Sequence, residues 1–246
     1  MMPTTWKSFG ASVTGPSHVA TGKPNQDAWS AFEHAWGYGI AVADGLGSKP
    51  HSDWGSRAAC RAVEASASRL WTDHQDSMFQ SHSSELLPGI VEEWLFAIDP
   101  FVEKDCAATC LYAITSPDDQ IHLGMLGDGA AVAVLQDGSV IVLSDSKDEG
   151  FSNLTNALSA TTTLNHWRVR SVVASECAAV LLCTDGVADD VEDLAGFARG
   201  FVKAYEGLGR LAASRRAWEM LSTWPVPKHS DDKTLACLIK VVTPDE

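Results

Sequence analysis

Five aspartate positions lie where strand-like runs of the sequence begin or end. Several of these runs are apolar, so a carboxylate at their ends costs free energy unless a proton, a donor or a cation balances it. Neighbouring glycines allow the backbone to approach a ligand closely. Carboxylates with few histidines or thiols nearby suit hard cations such as Mg²⁺ or Mn²⁺. The positions are Asp44 in IAVADGLG, Asp128 in MLGDGAA, Asp185 in VLLCTDGVADD, Asp27 in GKPNQDAW, and the pair Asp231 and Asp232 in HSDDKTLACLIKV.

Each of these aspartates has an ordinary alternative explanation, because Asp-Gly is common turn chemistry. Asp44 and Asp185 are both followed by glycine, and either could simply start a turn. A turn does not need a buried apolar run before it every time, however. The repeated pattern therefore favours a shared cation site over a set of unrelated turns.

The elements that must position these residues follow from the hydrophobic periodicity. Strands alternate with helices in groups rather than singly, which favours an α+β fold with antiparallel sheets over a Rossmann fold. The predicted helices are Asp53–Trp71, Ser84–Ile98, Val191–Tyr205 and Arg210–Thr223. The predicted strands are Ser8–Thr14, Ala28–Glu33, Tyr38–Ala43, Thr109–Thr115, Ile121–Leu126, Ala130–Leu135, Val140–Leu143, Trp167–Val173, Ala179–Cys183 and Leu235–Val242.

Composition narrows the class of protein. The 246 residues are 45% hydrophobic and include nine tryptophans, which is typical of a globular chain. The net charge of −14 disfavours nucleic acid as a partner. There is no apolar run long enough for a membrane span and no signal peptide pattern at the start of the sequence. The six cysteines lack the spacing of a zinc site and are expected to be reduced core thiols of a cytoplasmic protein.

Six motifs in this order resemble the metal-dependent serine/threonine protein phosphatases of type 2C, and in particular the bacterial members. They are PNQDAW, VADGLGS, ATCLYAI, LGDGAA, LLCTDGVAD and DDKTLACLI, and the resemblance extends from about Gly10 to Val242. It implies a single phosphatase domain over residues 1–246. It also implies a four-layer α-β-β-α sandwich, in which two antiparallel β-sheets are flanked by helix pairs.

The resemblance further implies two Mg²⁺ or Mn²⁺ ions and a third, weaker one. Asp44 would bridge the first two ions, and the carbonyl of Gly45 would bind one of them. Asp185 and Asp231 would hold the other, while Asp128 would help to hold the third. In this family a hydroxide that bridges the metals attacks the phosphorus of phosphoserine or phosphothreonine in a protein.

The sequence departs from the family pattern at several positions near this site. Gln26 stands where a glutamate is usual. Together with Asp27 it would contact a metal weakly or orient a group bound to it. Gly22 stands where many members have a phosphate-binding arginine, so Lys23 is the candidate phosphate ligand. Leu46 stands where some members have a histidine. These departures leave an alternative open, namely a weak or inactive phosphatase-like domain that binds phosphorylated partners or regulates a kinase.

The resemblance implies a phosphorylated protein substrate, made by a cognate serine/threonine kinase, and we expect a cytoplasmic monomer. The segment Ser144–Ala160 is short for the flap that adjoins the site in this family.

Overall fold

The computed structural model describes residues 5–73, 83–144 and 156–241, and in these ranges the chain forms ten strands and six α-helices. The helices are α1 (Pro16–Thr21), α2 (Ser52–Asp73), α3 (Ser83–Ala97), α4 (Asp185–Ala188), α5 (Leu194–Tyr205) and α6 (Arg210–Ser222). The strands are β1 (Thr5–Val13), β2 (Asp27–His34), β3 (Gly37–Asp44), β4 (Cys110–Ser116), β5 (Gln120–Leu126), β6 (Ala130–Leu135), β7 (Val140–Ser144), β8 (Arg168–Val173), β9 (Cys177–Cys183) and β10 (Lys233–Val241).

The strands form two antiparallel sheets of five strands each. The first sheet has the order β1-β10-β9-β6-β7, and the second has the order β2-β3-β4-β5-β8. Antiparallel pairing brings the end of one strand beside the start of its neighbour. Cys183 at the end of β9 thus pairs with Ala130 at the start of β6, and Asp44 at the end of β3 pairs with Asp27 at the start of β2.

Three buried clusters hold the layers together. Between the sheets, apolar side chains such as Ile40 and Leu182 pack face to face. On the outer face of the second sheet, α2 and α3 bury residues that include Trp94. On the outer face of the first sheet, α6 packs on β1 and α5 packs on β6 and β7. The rings of Phe9 in β1 and Phe201 in α5 stack with their centroids 6.0 Å apart. This arrangement confirms the predicted α+β sandwich of two antiparallel sheets flanked by helix pairs.

Element boundaries differ from the predictions where local capping decides them. The prediction starts α5 at Val191, but the helix begins at Leu194 because the Asp193 side chain accepts a hydrogen bond from the backbone of Gly196 and caps it. The sequence did not predict α1 and α4, which have six and four residues and are too short for a periodic signal. Residues 145–155 of the expected flap lie outside the described residues.

The aspartates singled out in the sequence lie at one end of this sandwich. Asp27 is the first residue of β2, and Asp44 is the last residue of β3. Asp128 lies between β5 and β6, and Asp185 and Asp231 lie between β9 and β10. No helix among the described residues combines the length and the apolar character needed to cross a bilayer. All six cysteines are buried and none forms a disulfide.

Candidate metal centre

Three carboxylates converge at this end of the molecule. One oxygen from each of Asp44, Asp128 and Asp185 lies within 4.8 Å of the other two. The three residues come from different strand ends, so the fold and not local sequence brings them together. Like charges this close repel one another by about 3 kcal/mol per pair at an effective dielectric constant near 20. Such a group is therefore suited to bind a divalent cation.

Asp27 lies beside Asp44 and extends the acidic cluster inwards. Asp27 is 6% exposed, and its Oδ2 accepts a hydrogen bond of 2.8 Å from Oγ1 of Thr184. Burial raises the pKa of Asp27 to about 7. Burial also raises the pKa of Asp44 well above its usual range, and the charges of Asp27 and Asp185 add to this effect. Asp27 and Asp44 pair across β2 and β3, so each carboxyl group influences the ionisation of the other.

Asp185 is the first residue of α4, and its Oδ1 accepts a hydrogen bond of 2.7 Å from the backbone of Gly186. Its pKa is raised to about 7, first by burial and then by the charges of Asp128 and Asp231. Asp231 is exposed and does not belong to the three-carboxylate group, but it lines the same cavity of about 210 Å³ as Asp185. Asp231 therefore lies near Asp185, outside the three-carboxylate group.

Gly45 continues the backbone from Asp44 along a path with no room for a side chain. Its amide donates to the carbonyl of Gln26 at 3.0 Å. A Cβ at this position would lie 2.3 Å from the carbonyl oxygen of Ser52. Only glycine lets the loop pass this close to the start of α2, next to the acidic cluster.

Gln26 is the neutral residue in the place where the family pattern has a glutamate. It is 6% exposed, and its Nε2 donates a hydrogen bond of 2.7 Å to Oγ of Ser52. Its Oε1 is buried and has no hydrogen-bond partner among the described residues. A buried acceptor without a donor is destabilising, so this oxygen is suited to a cation or to a water molecule held by one. The residues present thus fit a divalent metal site.

Three positions bear on phosphate binding and acid chemistry at the site, namely Lys23, Gly22 and Leu46. Lys23 is exposed, and its ammonium makes no hydrogen bond or ion pair with a described residue. Gly22 ends α1 with a φ of +67°, a left-handed conformation that side chains rarely adopt. This conformation favours glycine at position 22. Leu46 is half-buried and offers no acid or base.

The structure separates the roles of the adjacent Asp231 and Asp232. Asp232 is 2% exposed and accepts three hydrogen bonds, from the amides of Gly15 and Gln26 at 2.7 Å each and from Nδ1 of His18 at 2.9 Å. It therefore anchors the chain before β2 to β10. Successive side chains of an extended segment point to opposite sides. The sequence could therefore have predicted that Asp231 and Asp232 face in opposite directions, with one of them buried.

Thr184 is a residue of the site that the sequence reasoning missed. It is 1% exposed, precedes Asp185, and donates to Asp27, so it connects the two halves of the acidic cluster. Threonine is a common residue directly before the first residue of a helix. The threonine before Asp-Gly in the sequence could therefore have predicted that Thr184 lies at the start of a helix beside Asp185.

The family model described as Protein phosphatase 2C matches residues 14–222 of the chain. A search of curated proteins finds no match. Among solved structures, RsbX in complex with magnesium has a TM-score of 0.62 and 14% identity over 98% of this chain and 100% of that one. The catalytic domain of the serine/threonine phosphatase PstP, in complex with two manganese ions, has a TM-score of 0.63 and 17% identity over 98% and 100%. The photosystem II phosphatase PBCP has a TM-score of 0.64 and 17% identity over 96% and 98%. These likenesses describe a shared fold, and the match to the family model shows that the chain belongs to the protein phosphatase 2C family.

Proposed function

We propose that this protein is a metal-dependent phosphatase that hydrolyses phosphoserine and phosphothreonine in proteins. The observation that carries the proposal is the convergence of Asp44, Asp128 and Asp185, whose carboxylate oxygens lie within 4.8 Å of one another at one end of the sandwich. Membership of the protein phosphatase 2C family supports the same function.

In this proposal Asp44 and the carbonyl of Gly45 would be ligands of a pair of Mg²⁺ or Mn²⁺ ions. Asp185 and Asp231 would complete the ligands of that pair, and Asp128 would help to hold a third, weaker ion. The raised pKa of Asp185, about 7, supports the assignment, because burial and neighbouring negative charge oppose its ionisation in the metal-free protein. A divalent cation would remove that opposition.

When bound, such cations would supply acidification of a water nucleophile and neutralisation of the charge on the phosphoryl group. The protein orients this chemistry through its own contacts. Thr184 holds Asp27 against Asp44 through a hydrogen bond of 2.8 Å. Ser52 fixes the amide of Gln26 so that its Oε1 stays free of protein donors.

A second candidate function is supported by the residues of the segment Gly22–Lys23 and by Gln26. Lys23 is exposed and Gly22 has no side chain, so this segment offers no guanidinium fork for a phosphoryl group. Gln26 also removes one negative charge from the cation site. Both features suit a domain that binds phosphorylated partners, or regulates a kinase, with little or no turnover.

Hydrolysis of para-nitrophenyl phosphate with Mn²⁺, with Mg²⁺ and with excess chelator distinguishes the two functions. We expect turnover that depends on the cation and is lost in chelator. The same assay with phosphoserine, phosphothreonine and phosphotyrosine peptides tests the substrate class, and we expect the first two to be cleaved. Binding of phosphopeptides without turnover under any cation would support the second function instead.

Three broader expectations belong to the same proposal. The substrate is a protein phosphorylated by a cognate serine/threonine kinase. Residues 1–246 form one phosphatase domain that works as a monomer. The protein acts in the cytoplasm. Size-exclusion chromatography with light scattering tests the second expectation, and we expect the mass of a single 26.3 kDa chain.

A further inference from the structure

A buried lysine lies directly behind the helix that begins with Asp185. Lys233 is the first residue of β10 and is 2% exposed. Its ammonium donates to the carbonyl oxygen of Gly186 and lies 2.8 Å from Oδ2 of Asp190. It also lies 5.1 Å above the ring of Trp224, whose Nε1 donates to the same Asp190 oxygen at 2.9 Å. We refer to Lys233, Asp190, Trp224 and the Gly186 carbonyl as the Lys233 clamp.

The clamp holds α4 at both of its ends. The helix is a single turn of four residues, Asp185–Ala188, and a helix this short is not stable through its own hydrogen bonds. Its orientation must therefore come from tertiary contacts. Lys233 contacts the second residue of the turn through the Gly186 carbonyl and contacts the segment just after the turn through Asp190.

The same contacts relate the two aspartates proposed to hold one cation. Asp185 precedes Gly186, and Asp231 lies two residues before Lys233. Lys233 itself is fixed by the sheet, where it pairs with Val13 of β1. A buried ammonium costs several kcal/mol of desolvation if it is unpaired. An apolar side chain would avoid that cost, but it could not form the two directional bonds that join α4 to the start of β10.

We propose that Lys233 is a positioning residue, which orients α4 so that the Asp185 carboxylate is placed correctly toward Asp231 and the bound cation. This proposal rests on the proposed function, because it assigns Lys233 to the same metal centre. Groups that orient metal ligands in this way typically change metal affinity by 10- to 100-fold when they are removed.

Simple electrostatics makes the opposite prediction. Lys233 is a positive charge close to the cation site, so replacing it with a neutral residue removes a repulsion and should strengthen cation binding. A purely packing role makes a third prediction. The metal-free protein would become less stable, but the affinity for Mn²⁺ would not change. The sign of the change in affinity therefore separates the three roles.

The test compares Lys233→Met with the wild type through the rise in melting temperature during a Mn²⁺ titration, which yields an apparent dissociation constant. We expect the constant to rise roughly 10-fold or more. Lys240→Met is the matched control, since Lys240 lies on the same strand, roughly 23 Å away, and donates to the carbonyl of Ser175. We expect its dissociation constant to equal that of the wild type.

A double variant, Lys233→Met with Asp190→Asn, keeps the test decisive if the single variant folds poorly. It leaves no unpaired buried charge and has the same net charge as the wild type, but it lacks the bond to the Gly186 carbonyl. We expect it to bind Mn²⁺ roughly 10-fold more weakly as well. Wild-type or tighter binding by the double variant, or by a folded Lys233→Met protein, would overturn the positioning role. A wild-type protein that shows no Mn²⁺ shift at all would instead remove the metal centre, and the proposed function with it.

Discussion

Replacing Asp185 with asparagine tests whether this residue is a metal ligand or the start of an ordinary Asp-Gly turn. Asparagine keeps the size and turn propensity of aspartate, and its amide oxygen can still accept the hydrogen bond of 2.7 Å from Gly186. The pKa of Asp185 is raised from 3.8 to about 7. Above neutral pH, that shift corresponds to roughly 4 kcal/mol of unfavourable ionisation in the folded, metal-free protein.

Part of this cost remains in the variant, because the buried amide is also polar. We therefore expect Asp185→Asn to raise the unfolding free energy of the metal-free protein by roughly 2–4 kcal/mol, or its melting temperature by roughly 5–15 °C. The gain should shrink at about pH 5, where the wild-type carboxyl is already protonated. The variant should also gain less stability from Mn²⁺ and lose turnover by orders of magnitude.

Melting curves with and without Mn²⁺, together with one rate assay, measure these effects. Asp137→Asn is the matched control, because Asp137 also precedes a glycine, Gly138, and lies in the turn between β6 and β7, far from the acidic cluster. Its Oδ1 accepts a hydrogen bond of 2.8 Å from the backbone amide of Ser139. We expect the control to behave as the wild type does. An Asp185→Asn protein with normal turnover and the full Mn²⁺ shift would refute the assignment of Asp185.

Three further predictions follow from the geometry of the site. Gln26→Glu should lower the Mn²⁺ concentration that gives half-maximal stabilisation, because a carboxylate attracts a cation more strongly than an amide does. An unchanged or higher half-maximal Mn²⁺ concentration would place Gln26 away from the metals. Thr184→Val should reduce the unfolding free energy in urea by about 1–3 kcal/mol, because it removes the donor to the buried Asp27 carboxylate, and a negligible loss would contradict that role. The pKa values of Asp27 and Asp185 are raised to about 7 in the folded protein, so the stability they contribute is complete below about pH 4 and is lost as the pH rises through 7. The melting temperature of the metal-free protein should therefore carry a component that falls between about pH 4 and pH 7 and is reduced by saturating Mn²⁺. The same pH dependence with and without the metal would count against the cation site.

The strand pattern was accessible from the sequence because each buried strand carries a clear apolar run. All ten predicted strands are present, and the four predicted helices coincide with α2, α3, α5 and α6 to within a few residues. The grouping of aspartates was accessible for the same reason. Asp44 and Asp185 end apolar runs that lie in different sheets. Antiparallel pairing places Asp27 beside Asp44 in one sheet, and Ala130, just after the Asp128 loop, beside Cys183 in the other. The face-to-face packing of the two sheets then brings these ends together.

Contacts between distant segments were not accessible in this way. Nothing local to Lys233 indicates that its ammonium reaches the carbonyl of Gly186, or that Thr184 donates to Asp27 across 157 positions of sequence. The left-handed conformation of Gly22 is likewise a property of how α1 ends. The sequence shows which residue types are available near a site, whereas the fold decides which of them face it.

A crystal structure of the protein grown with Mn²⁺ tests the central claim most directly, because the anomalous scattering of manganese locates the ions without reference to activity. We expect two strong peaks that share the Asp44 carboxylate, one of them within coordination distance of Asp185 and Asp231, and a weaker third peak near Asp128. Crystals that contain Mn²⁺ in solution but show no anomalous peak between Asp44 and Asp185 would contradict the metal centre and the proposed function.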